Sequence, residues 1–343
     1  MIFILGFGTN LLIIINKNCW VSHSLPPPPP NQFTPVPCCS APVLSGILDP
    51  GMPKPYKPSK GATPLRTIRA EEITKAVSEL VLSACSDLGE DVENALLRAL
   101  ETERDPNGRD VLGQLVENLR LARAAGRPCC QDTGITVVFA DVGQDVHIEG
   151  GNLYEAVENG VRTAYTEGCL RKSVLHPLTR KNTGDNTPPV LHVEIVPGNR
   201  LTLHVAPKGF GSENASALAM LTPSDGIGGI ERFVVDTVAR SGAFACPPLV
   251  VGVGIGGTME KAALIAKRQL LRDIGTPAAD PDAAALEARL LERINALGIG
   301  PMGLGGDTTA LAVHAGLYPT HIAGLPVAVN VQCHAARHKR VTL

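Results

Sequence analysis

The stretch Ala245-Cys246-Pro247-Pro248-Leu249-Val250-Val251-Gly252-Val253-Gly254-Ile255-Gly256-Gly257-Thr258 decides the fold. Its apolar, β-branched run over 248–254 predicts a buried strand, and its glycines satisfy G-x-G-x-x-G ahead of a helical pattern. That motif opens a dinucleotide-binding unit when a second strand follows and an acidic residue stands about 20 positions on. Asp273 is only 16 residues beyond Gly257 and sits at the end of a helical pattern, after which another helical pattern begins near 281. A nucleotide-binding subunit built on Gly252–Gly257 is therefore the minor alternative. The glycines are read as letting a strand-to-helix turn approach the Cys246 loop or a substrate closely.

Outward from this stretch, the patterns are mixed. Ile73, Val77, Leu80, Val81 and Ala84 fall at helical spacing behind Glu71 and Glu72, acids that suit a first turn. Two more helices are predicted over 90–103 and 110–125, the second closed by Gly126 and Pro128. Ile135–Val142 reads as a strand and Leu153–Thr166 as a helix. The alternating runs 190–196 and 201–206 around Pro197-Gly198-Asn199 predict a hairpin. Helices are expected over 213–221, 228–240, 258–272 and 281–296, and strands over 248–254, 308–314 and 325–332. The class is α/β with mixed α+β character: a helical N-terminal part, then interleaved strands and helices around a site.

The chain has 343 residues, 44% of them hydrophobic, enough to bury one large core or two. A net charge of -2 and only 3% aromatic residues argue against a nucleic-acid partner. No run approaches the roughly 18–20 apolar residues of a membrane span. Residues 1–65 hold the proline run Pro26–Pro30 and seven more prolines by Pro58, which favours extended backbone without a core. They are expected to be a disordered extension or a misassigned start, a weak export or anchor signal being the alternative, with the domain over 66–343. Nine cysteines, an odd number in a chain of this size, fit a reduced, cytoplasmic protein that uses some thiols for metal or chemistry.

Cys130 opens Cys130-Gln131-Asp132-Thr133-Gly134 before a strand. Cys246 precedes Pro247-Pro248 and a strand, and Cys333 precedes His334-Ala335-Ala336-Arg337. They lie too far apart for a local zinc or ferredoxin spacing, and small buried cysteines filling gaps are the plain alternative. Their proline and glycine neighbours instead describe loops able to wrap an anionic cluster. Three thiolates without a fourth would leave one metal position open to act as a Lewis acid. Arg171-Lys172-Ser173 leads into the turn-rich Asn182–Pro188. Lys208-Gly209-Phe210-Gly211-Ser212-Glu213-Asn214 opens a helix whose amides suit a carboxylate or phosphate. Arg337 has the chemistry of a carboxylate clamp, but a terminal Arg is more often solvated. His321 suits an acid, a ligand or a donor, while His192 and His204 read as strand-face residues.

Taken together, CQDTG at 130–134, LRKSV at 170–174, NTGDNTPP at 182–189, KGFGSEN at 208–214, ACPPLVVGVGIGGT at 245–258 and THIAGLPVAVNVQCHAARH at 320–338 resemble the α subunit of the iron–sulfur class I fumarate hydratases, over about residues 68–340. The resemblance implies a 4Fe–4S cluster on Cys130, Cys246 and Cys333, with Cys129 a bystander. It implies Gln131, Arg171 and Gly211 as substrate-binding residues, and Asp132 and His321 as catalytic ones. It further implies reversible hydration of fumarate to (S)-malate, oxygen sensitivity, and a β subunit that supplies the base, in an α2β2 or similar assembly. The L-tartrate dehydratase α subunit is the nearest alternative.

Overall fold

The computed structural model describes residues 65–343, so the expectation for the front end lies outside the described residues but for Leu65. The described chain begins with β1 (Arg66–Arg69), α1 (Ala70–Ser86), α2 (Glu90–Thr102) and α3 (Pro106–Ala125). The Asp105 carboxylate accepts the Asn107 and Gly108 amides at the start of α3, with Pro106 in its first turn, and left-handed Gly126 ends it. Next come β2 (Ile135–Gly143), β3 (Val146–Glu149), α4 (Leu153–Glu167), β4 (Val190–Val196), β5 (Leu201–Lys208) and a single helical turn, α5 (Phe210–Glu213). They are followed by β6 (Ala217–Leu221), α6 (Gly226–Ser241), β7 (Leu249–Gly256), α7 (Met259–Gln269), α8 (Pro281–Asn295), β8 (Ala310–Tyr318), β9 (Leu325–Gln332) and β10 (Lys339–Thr342). No helix of the described residues is long and apolar enough to cross a membrane.

The strands form two four-stranded sheets, ordered β10-β5-β2-β4 and β6-β9-β7-β8, with β1 and β3 paired apart from them. In the first, Val138, Ala140, Leu203 and Val205 are buried against Ile73 and Val77 of α1 and Val157 and Val161 of α4. In the second, Val251, Val253 and Ile255 turn one face of β7 to Val234 and Val238 of α6 and Leu286 and Leu290 of α8. Each such side chain stabilises the fold by about 1.5–3 kcal/mol. Gly252 and Gly254 occupy the opposite face of β7, where a Cβ would collide with the Ala266 and Ala262 carbonyl oxygens of α7. The helix α7 joins the sheets, because its Arg268 donates to Asp141 of β2 at 2.7 Å and lies over the Phe139 ring.

Three expectations are corrected here. The runs 190–196 and 201–206 are strands but not a hairpin: β2 lies between them, parallel to β4 and antiparallel to β5. The predicted helix over 213–221 is one turn followed by β6, which pairs antiparallel with β9. The glycines of β7 do not approach the Cys246 loop. Gly252 and Gly254 admit a helix, and the Gly256-Gly257 turn packs on Tyr318 at the other end of the strand from Cys246.

Candidate functional site

Five loops leave the same end of the two sheets. The loop 129–134 enters β2, the segment 170–189 enters β4, and 209–214 follows β5. The loop 246–248 enters β7, and 333–338 runs from β9 in the second sheet to β10 in the first. Strand direction brings Cys130, Gln131, Asp132 and Gly211 to one end of the first sheet and Cys246 and Cys333 to one end of the second, which the 333–338 crossing joins, and the Thr133 hydrogen bond adds Arg171.

Hydrogen bonds hold the loops there. The Asp132 carboxylate accepts the Gly134 amide on one oxygen and the Phe210 amide on the other, each at 3.0 Å, linking the first cysteine loop to the turn at Gly211. The Thr133 hydroxyl donates to the Arg171 carbonyl at 3.0 Å. Buried Asn186 donates to the Gly134 carbonyl and accepts the Ser173 and Val174 amides, and so braces the LRKSV string against the CQDTG loop. The Tyr165 hydroxyl of α4 donates to the Thr133 carbonyl at 2.7 Å. On the second sheet the His334 amide donates to the Cys246 carbonyl, tying the second thiol loop to the third. Cys246 itself has φ 54, a left-handed conformation that costs a non-glycine residue about 1–2 kcal/mol and recurs at functional sites.

The thiols feel one another. Burial, then Cys333, Cys130 and Asp132, push the Cys246 thiol upward. Cys129 differs from its neighbour: it is buried in the apolar cluster with Leu88, Val92 and Leu119, and burial pushes its thiol up to about 12. Cys85, whose carbonyl accepts the Cys129 amide, is pushed up to about 11 for the same reason. Both are protonated at neutral pH and suited to packing, whereas Cys130 and Cys333 are partly exposed and Cys246 is exposed.

Two cations lie among these loops. Lys208 is 4% exposed; its ammonium donates to Ser212 and the Val331 carbonyl and pairs with Glu213 at 3.3 Å, and burial pulls it down to about 8. Arg337 is 3% exposed, donates to the Asp132 carbonyl at 2.7 Å, and has a buried Nε without a partner. The reading of Arg337 as a solvated terminal residue is thereby corrected: the crossing from β9 to β10 carries it between the sheets. Asn186, Lys208 and Arg337 are the residues that sequence reasoning undervalued, and the only signal of each was its place inside a long polar string.

His321 is not among the gathered residues. It is exposed in the loop from β8 to β9, where the neighbouring Thr320 hydroxyl donates to the Gly257 carbonyl. That is the far end of β7 from Cys246, about 25 Å away at 3.3 Å per residue.

The donor set fits a thiolate-held, multi-iron group. Three loop cysteines converge beside a buried arginine with an orphaned donor, as an anionic group requires. Among the described residues no group of three Cys, His, Asp or Glu side chains is placed to hold a metal ion.

A family model described as fumarate hydratase (Fumerase) matches residues 74–342. A Methanocaldococcus jannaschii protein named "Putative L(+)-tartrate dehydratase subunit alpha" is 44% identical over 280 residues, 79% of this chain and 98% of that protein. The L(+)-tartrate dehydratase subunit alpha of Escherichia coli (strain K12) is 32% identical over 276 residues, 79% of this chain and 90% of its own.

Proposed function

The chain belongs to the fumarate hydratase (Fumerase) family as an α-type subunit of a hydro-lyase, and from that premise we propose that it interconverts fumarate and (S)-malate with a 4Fe–4S cluster held by Cys130, Cys246 and Cys333. The observation that supports the cluster is that Cys246 lies near Cys333 and Cys130, while buried Arg337, whose Nε has no partner, lies near Cys333 and Cys130. When bound, such a cluster supplies Lewis acidity toward a substrate oxygen.

The rest belongs to the chain's own groups. The Thr133 hydroxyl fixes the Arg171 backbone through its carbonyl, and the exposed Arg171 side chain offers a two-point donor to a substrate carboxylate. Gln131 is exposed next to Cys130, with amide groups able to orient the second carboxylate. Gly211 sits in the α5 turn beside the Phe244 carbonyl, which a Cβ there would meet at 3.7 Å, and its family role is to let substrate approach the backbone. Asp132 engages both oxygens with backbone amides and has lone pairs left to orient or take a proton at the site. His321 acts here only if a second chain brings it, since its own loop lies at the far end of the sheet. The subunit is expected to work in the cytoplasm, and its six described cysteines are all free thiols.

We assign the partner as a β subunit that closes over the thiols, in an α2β2 or similar assembly. Exposed Phe210, Phe244, Met302 and Leu304 rim the site: the Phe210 amide binds Asp132, and the Met302 amide donates to the Pro247 carbonyl next to Cys246. Apolar side chains of this size exposed around a polar centre mark an interaction surface.

A second reading, dehydration of L(+)-tartrate, is favoured by the names of the relatives. Anaerobic purification with iron and sulfide analysis tests the cluster. Co-expression with a β-type subunit, comparing fumarate hydration with L(+)-tartrate dehydration, tests the substrate. Turnover of tartrate and not fumarate overturns the first assignment, and protein that takes up no iron overturns both.

A further inference from the structure

Arg337 carries a buried charge that the chain itself leaves unanswered. Among the described residues its one side-chain hydrogen bond runs from Nη1 to the Asp132 carbonyl, and Nε has none. Nη2 lies against Gly209, where a Cβ would come within 3.2 Å of it. Lys208, equally buried, differs in having Glu213 beside it. A buried cation is costly unless an anion completes it. Burial opposes the Arg337 charge, and of the sulfurs near it Cys85 and Cys129 are protonated packing thiols, which leaves Cys333 and Cys130 as the thiols able to answer it as thiolates. A neighbouring cavity of about 20 Å³, lined also by Lys208, Gln332 and His338, has room for a single water at most.

We propose that Arg337 is a positioning residue for the thiol-held cluster: it fixes the Cys130–Asp132 loop through the Asp132 carbonyl and gives its Nε–H and fixed positive charge to the anionic group that Cys130 and Cys333 hold. The inference rests on the cluster reading and deepens it. Outer donors to a metal group orient its ligands and tune its potential. The planar fork matters because Nη1 braces the Asp132 backbone while Nε–H stays free for a second acceptor.

The full chain is reconstituted anaerobically with iron and sulfide as wild type, Arg337→Lys and Arg337→Gln, and far-UV circular dichroism checks that each is folded. Iron loss to a chelator and the cluster's midpoint potential are then measured. Arg337→Gln is expected to bind the cluster about 10- to 100-fold more weakly and to shift its potential downward, because a nearby positive charge favours the reduced state. Arg337→Lys keeps the charge but loses the fork, so its potential stays near wild type while its iron loss accelerates. A folded Arg337→Gln protein with wild-type retention and potential overturns the inference, its orphan donor then being served by water. If Gln does not fold, equal retention by Arg337→Lys and wild type overturns it. A wild-type chain that takes up no iron overturns the cluster reading itself.

Discussion

Replacing Asp132 by Asn or Ala separates its part in building the site from any part in turnover. Each carboxylate oxygen accepts one backbone amide at 3.0 Å, from Gly134 within its own loop and from Phe210 across the site. A hydrogen bond to a charged acceptor contributes about 1.5–3 kcal/mol, and the lower part of that range applies because Asp132 is only half-buried. Asn keeps one acceptor and turns an amide donor toward the other N–H, so Asp132→Asn is expected to destabilise the chain by about 1–3 kcal/mol. Ala loses both bonds, about 2–4 kcal/mol, or roughly 3–7 °C in melting temperature for a chain of this size. Urea unfolding of the metal-free protein measures the stability and chelator-driven iron loss measures the loop. The brace also holds Cys130, so iron is expected to leave at least about tenfold faster from Asp132→Ala. Stability of that variant within about 0.5 kcal/mol of wild type refutes the reasoning, because the two amides would then not depend on the carboxylate.

Three further outcomes are expected. Gly254→Val drives a side chain into the Ala262 carbonyl of α7 and should cost at least about 1–3 kcal/mol in urea unfolding, while adding no nucleotide-binding phenotype by calorimetry. Phe244→Glu places a charge on the exposed rim at Cys246 and should weaken co-purification with a β-type subunit while leaving the iron content of the α chain unchanged. Lys208 titrates near 8 when folded and near 10.4 when unfolded, so between those values the unfolded state holds more protons and stability rises with pH. The stability of wild type minus that of Lys208→Met should therefore climb by up to about 3 kcal/mol from pH 8 to pH 10, and a flat difference refutes the assignment.

The helices and most strands were legible because their burial repeats along the chain. Val251, Val253 and Ile255 pack on one face of β7, and the run Leu325–Gln332 matches β9 end for end. Partner choice was not legible. Alternation in 190–196 and 201–206 says that each is a strand with two faces, but says nothing of what lies beside it, and β2 comes from far upstream, ending at Gly143. The single turn at 210–213 misled because Ala217–Leu221 has few β-branched residues; its strand state is imposed by β9. At the site, the loop strings marked the right stretches, but not at which end of a sheet each would lie. Strand direction decides that, gathering Cys130, Cys246 and Cys333 and sending His321 away. Arg337 was undervalued because charge predicts exposure, and only the crossing between two sheets buries it.

That crossing has a consequence for the order in which the protein is made. Cys130 belongs to a loop of the first sheet, Cys246 and Cys333 to the second, and the residues after Cys333 return to the first as β10. Contacts of such wide separation along the chain form late in folding, after loop closure has been overcome. No local segment brings even two of the three thiols together, so iron cannot nucleate this fold as zinc nucleates a finger. Both sheets must be built and docked before the thiols become neighbours. On the proposed cluster reading, loading would therefore be the last step of maturation, and a chain arrested before β10 docks would hold its three cysteines apart.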